Sequence, residues 1–162
     1  MQNEFNPEEI LEIACNLERN GAEFYRRAAE LVSSPEAEKM LNTLAAMEDE
    51  HEGFFESVRS DPSTLVGLFG EPERELSSFL KAITDNNVFP KEIDPLGQLH
   101  EDITVKEVIE LALDAEKSAI EFYKSLREVT PSRSDEGKLD RIIQEELDHV
   151  RILKDQLRAK DS

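Results

Sequence analysis

"LAAMEDEHEGFF", residues 44–55, spaces its apolar residues as a helix does, yet sets Glu48 and His51 on the stripe that should face a core. Extended by one residue the stripe reads Leu44, Glu48, His51, Phe55 and Val58, at alternating intervals of four and three. A buried acid and imidazole are costly unless something compensates them. The remainder of the chain repeats the arrangement, and the repeat accounts for it.

"LERNGAEFY" (17–25) and "AEKSAIEFY" (115–123) match at Glu18/Glu116, Glu23/Glu121, Phe24/Phe122 and Tyr25/Tyr123, an offset of 98 residues. The same offset carries Glu48 onto Glu146 and His51 onto His149 without a gap. A self-similar helix-turn-helix unit is therefore present twice. Four long amphipathic segments are expected: about Pro7 to Val32, about Pro35 to Arg59, from near Thr104 to just before "TPS" at 130–132, and about Ser134 to Arg158. Asn6 and Thr104 are N-cap candidates, and "SSP" ends the first helix and starts the second. No strand signal is present, so the chain reads as all-α.

Glu18 and Glu48 are equidistant from the turn near Ser33, and Glu116 and Glu146 from the turn near Pro131. In antiparallel hairpins each pair lies level, roughly 22 Å from its turn. Two hairpins related by a pseudo-two-fold axis then bring all four glutamates to one height. Ile142, Glu146, His149 and Leu153 form the inner stripe of the fourth helix. Leu11, Glu18, Tyr25 and Val32 do so on the first, and Ile109, Glu116, Tyr123 and Leu126 on the third. Glu23 and Glu121 fall off that face. The connection, about 60–103, is richer in Pro and Gly and includes a short helical stretch, "PERELSSFLKAIT" (72–84). Its length suits a chain that must return along the bundle, as in a four-helix bundle with one long crossover. One domain is expected: hairpin one at about 7–59, the crossover, and hairpin two at about 104–159.

Four ionised carboxylates in a dry core repel one another, and no Lys or Arg shares their stripe. Two divalent cations would balance them, and oxygen-rich sites with one imidazole per metal suit iron or manganese. Two of the three histidines carry Glu at −3, at matching places in a repeat. His100, the third, has no counterpart and reads as a surface residue. Tyr25 and Tyr123, two turns beyond Glu18 and Glu116, read as donors to a ligand carboxylate of the other half. Cys15, replaced by Leu113 in the second half, reads as a packing residue.

The net charge of −18 disfavours nucleic acid and anionic membrane surfaces as partners. "MQNEFNPEEI" lacks the basic and apolar regions of an export signal, and a single cysteine fits a reducing compartment, so the expected address is the cytoplasm. One thiol also excludes a four-sulfur module.

Glu18 and Tyr25, "EDEH" (48–51), Glu116 and Tyr123, and "ELDH" (146–149) together resemble the rubrerythrin-like branch of the ferritin-like superfamily. The resemblance implies a non-haem di-iron centre bridged by Glu48 and Glu146. Glu18 with His51 and Glu116 with His149 would be terminal, in either pairing with the irons. It also implies electron delivery to hydrogen peroxide or dioxygen in oxidative defence, and a homodimer. Iron-handling proteins and di-iron hydroxylases of the superfamily are alternatives. Two features depart from full-length rubrerythrins. No rubredoxin segment is present, so electrons would come from an external rubredoxin or flavoprotein. The additional glutamate of the third helix is replaced by Ala119, matched by Gly21.

Overall fold

The structure is a computed structural model, which describes residues 7–61, 95–129 and 137–161. Four long helices make up almost all of it: α1 (Pro7–Leu31), α2 (Pro35–Ser60), α3 (Val105–Val129) and α4 (Lys138–Asp161). A short 3-10 turn, Leu96–Gln98, precedes α3, and no strand occurs among the described residues. None of the described helices is long and apolar enough to cross a membrane.

Local chemistry sets the ends. Ser34 caps α2 by accepting from the Ala37 amide at 3.3 Å, with Pro35 in the first turn. Glu36 and Glu38 sit at the positive end of that helix dipole and Arg59 at the negative end. Thr104 is the cap the sequence suggests: its Oγ1 accepts from the Glu107 amide at 3.1 Å and its carbonyl from Val108 at 3.0 Å. Asn6, the 72–84 stretch and the "TPS" segment lie outside the described residues. The expected start of the fourth helix, near Ser134, also lies outside the described residues; as described, α4 begins at Lys138, directly after Gly137, whose φ is +79.

Cross-helix pairs give the helix directions. Arg19 reaches Glu52 (3.2 Å), Arg26 reaches Asp49, and Arg59 reaches Glu8 (3.8 Å), so α1 and α2 are antiparallel. Arg127 to Asp140 (2.6 Å) and His149 to Glu116 (3.3 Å) do the same for α3 and α4. Tyr25 to Glu116 and Tyr123 to Glu18 make α1 and α3 antiparallel. It follows that α2 and α3 run the same way, which is why a long return connection is needed. The architecture is that of a ferritin-like bundle built from two hairpins.

Two apolar clusters hold the bundle together, one toward each end. One contains Ile10, Leu11, Cys15, Phe55, Phe122, Tyr123, Leu126 and Leu139. The other contains Phe24, Tyr25, Leu41, Leu44, Val108, Ile109 and Leu153. Fully burying a Phe or Leu contributes roughly 1.5–3 kcal/mol, so these ends supply most of the cohesion. Between them lies a polar layer.

Candidate metal centre

Glu18, Glu48, His51, Glu116, Glu146 and His149 are the buried polar and charged residues among those described, and none is more than 4% exposed. They occupy the layer between the apolar clusters because each sits mid-stripe on its own helix. Glu23 and Glu121 face outward, as the periodicity requires, and His100, in the connection, is exposed too. Cys15 packs inside an apolar cluster, where burial and then Glu56 push its thiol up to about 12, which leaves it an inert core residue.

The six side chains converge. Oxygen and nitrogen atoms of Glu18, Glu48, His51 and Glu146 lie within 4.8 Å of one another, as do those of Glu48, Glu116, Glu146 and His149. Glu48 and Glu146 belong to both groups, so each group is three residues of one hairpin completed by one from the other. Both imidazoles turn Nδ1 inward: His51 Nδ1 lies 2.8 Å from Glu146 Oε1 and 3.5 Å from Glu18 Oε2. His149 Nδ1 lies 3.3 Å from carboxylate oxygens of Glu48, Glu116 and Glu146. The two rings are nearly parallel, 17° apart with centroids separated by 5.8 Å.

Each tyrosine crosses to the opposite hairpin. Tyr25 donates to Glu116 Oε1 and Tyr123 to Glu18 Oε1, both at 2.6 Å. The Tyr123 ring is stacked on Phe55 at 5.3 Å and the Tyr25 ring meets Phe24 edge-on at 5.4 Å, so each hydroxyl is aimed from a rigid apolar end. Burial, reinforced by Glu116 for Tyr25 and by Glu18 for Tyr123, holds both phenols well above their ordinary range. They keep their protons and act as donors.

The charges fit poorly without a cation. Burial first, then repulsion from Glu146 and Glu116, lifts Glu48 to about 7. Burial and Glu146 lift Glu116 to about 8, and burial with Glu48 raises Glu18 well above the usual carboxylate range. For His149, burial acts to lower the imidazole but is outweighed by Glu116, Glu146 and Glu48, which take it to about 12. His51 is raised in the same way, burial being overcome by Glu146, Glu18 and Glu48. Protons are thus held where cations would bind. Glu18 Oε2, Glu116 Oε2 and Glu146 Oε2 are buried with no hydrogen-bond partner among the described residues. Each such orphan costs about 1–3 kcal/mol or more. Inward carboxylate oxygens, unpartnered and flanked by two imidazole nitrogens, match the donors that oxygen-preferring divalent metals take.

Two features were not read from the sequence. Glu145, a partly buried neighbour of Glu146, bonds His51 Nε2 at 2.6 Å on the outer side of the ring. A cavity of about 90 Å³ also lies between α1 and α3, lined by all four cluster glutamates, Tyr25, and the small residues Gly21, Ala115 and Ala119. Neither histidine lines it, so the cavity reaches the cluster through its carboxylates.

A search of curated proteins finds no match. Among solved structures, the chain is similar to one from Thermotoga maritima described as a ferritin-like diiron-carboxylate protein. The two share 24% identity over 98% of each chain, with a TM-score of 0.68, a likeness of fold. The family model for Rubrerythrin matches residues 9–157, nearly the whole bundle and every residue of the polar layer; the chain belongs to the rubrerythrin family.

Proposed function

We propose that this protein is a di-iron oxidoreductase that reduces hydrogen peroxide or dioxygen. The observation that carries the reading is the buried layer of four glutamates and two histidines, whose inward oxygens face one another with no Lys or Arg among the described residues of that layer. Glu48 and Glu146 would each contact both ions, with Glu18 and His51 completing one position and Glu116 and His149 the other. When bound, the iron pair supplies electrons to the oxidant, two per peroxide, with two protons giving two waters. Manganese fits the same donors.

The chain's own residues do the rest. Tyr25 and Tyr123 fix the orientation of Glu116 and Glu18, and their protonated hydroxyls keep donors beside the carboxylates. The apolar ends exclude water from above and below. The cavity admits the oxidant. A cavity of about 90 Å³ accommodates a peroxide or dioxygen molecule and is smaller than the roughly 150 Å³ of a cavity that binds benzene, so its size favours a small oxidant over an aromatic hydroxylation substrate. Electrons come from an external donor, a rubredoxin or a flavoprotein.

The test is anaerobic loading with Fe²⁺, followed by peroxide or dioxygen with and without a reductant. Repeated, reductant-dependent peroxide consumption is the expected result. A single round of oxidation with the iron retained would instead make the protein an iron-handling one. Gly21 probes the route of access. A Cβ placed there meets Glu48 at 3.6–3.8 Å, ordinary contact, so Gly21→Ala is sterically allowed and should stabilise α1 by about 1 kcal/mol. Gly21→Leu extends into the cavity and is expected to slow peroxide consumption roughly tenfold, about 1.4 kcal/mol of barrier, at unchanged metal content. Equal rates in the two variants would mean that the oxidant enters elsewhere.

A further inference from the structure

The duplicated halves differ behind the imidazoles. His51 Nε2, on the side of the ring away from the cluster, lies 2.6 Å from Glu145 Oε2. The other oxygen of Glu145 accepts from Arg141 Nε at 3.2 Å, one turn back on α4. His51 is therefore backed by a carboxylate that is itself held in place. His149 has no such backing: its Nε2 is buried and has no hydrogen-bond partner among the described residues. The repeat shows why. The 98-residue offset carries Glu145 onto Met47 and Arg141 onto Thr43, so both members of the support are missing from the first half. Thr43 donates to the Lys39 carbonyl on its own helix instead.

A carboxylate on the outer nitrogen of an imidazole fixes the tautomer, leaves the inner nitrogen free to bind a cation and makes that nitrogen a stronger base. Glu145 cannot itself join the cluster, because its oxygens are engaged on the far side of His51. We propose that Glu145, supported by Arg141, makes the two metal positions unequal, so that the position of Glu18 and His51 holds its ion more tightly than that of Glu116 and His149. This rests on the two-ion reading above. Glu145 is a positioning residue that acts through His51.

Anaerobic titration with Co²⁺, followed by its visible absorption, tests the proposal without reference to turnover. The wild-type chain should fill in two resolved steps. Glu145→Leu should weaken the tighter step roughly 10- to 100-fold and merge it with the other, and Glu145→Gln, which can still accept from the imidazole, should recover part of the loss. Met47→Glu should tighten the weaker step. Two ions bound with equal affinity, or Glu145→Leu weakening both steps alike or neither, would overturn the inequality and leave the two-ion reading standing. A wild-type chain that takes up no Co²⁺, Fe²⁺ or Mn²⁺ would overturn both.

Discussion

Glu48→Gln should abolish uptake of the metal pair while leaving the metal-free bundle at least as stable as the wild type. Its carboxylate oxygens lie within reach of both four-residue groups, and His149 Nδ1 is 3.3 Å from Oε1. Losing a shared anionic ligand weakens both positions together, by roughly 100-fold or more, beyond what loss of an outer partner costs. Stability moves the other way. Burial and the neighbouring Glu146 and Glu116 lift Glu48 to about 7, so above that pH the metal-free fold carries a charge it disfavours. Glutamine has the shape of the protonated acid and none of the charge, and at pH 8 it should stabilise the metal-free chain by up to about 3 kcal/mol. Metal analysis of the loaded protein and thermal melts of the metal-free protein give the two halves of the result. Glu23→Gln, an exposed acid on α1, should change neither. A Glu48→Gln protein that still binds two ions would remove Glu48 from the centre.

The second large effect is a pH dependence that metal should cancel. Glu48 and Glu116 have folded-state values of about 7 and about 8, against 4.5 for an ordinary glutamate. The folded chain therefore holds protons that the unfolded chain releases. Their contribution to stability is complete below about pH 4.5 and is lost as the pH rises through 7 to 8. The raised imidazoles act with the same sign, contributing fully below about pH 6.5 and less above it. The metal-free melting temperature should thus fall from pH 5 to pH 8. Bound cations take the place of these protons, so metal uptake releases them and tightens with pH. At pH 8, with each of two sites at 100 times its dissociation constant, metal should add about 5 kcal/mol, or roughly 10–20 °C for a chain of this size. At pH 5 the increment should be small. The difference between loaded and metal-free melts isolates the centre, because the exterior charge is common to both. An increment equal at the two pH values would contradict the account.

Much of this centre was legible in the residues because duplication states it twice. One Glu-x-x-His pair among 37 acidic residues has little meaning, but a second pair at the same offset, level with two further glutamates, does not arise readily by chance. The tyrosines were legible for the same reason: two turns along the stripe, each must meet the opposite half. Legibility ended where the repeat did. Glu145 has no counterpart, and its role depends on the third dimension, where α4 passes behind an imidazole of α2. The cavity was equally hidden, since it arises from side chains too small to fill a gap and small residues leave no periodic signal.

The crossed tyrosine bonds bear on how the protein matures. Each hairpin takes the tyrosine that holds its terminal glutamate from the other half, and each four-residue group waits for one carboxylate from the other half. A nascent chain that has emerged only as far as α2 offers an incomplete chelate, so the first half cannot assemble a finished cofactor before the second arrives. Cofactor insertion is in this way a late event, and it reports that both halves have docked.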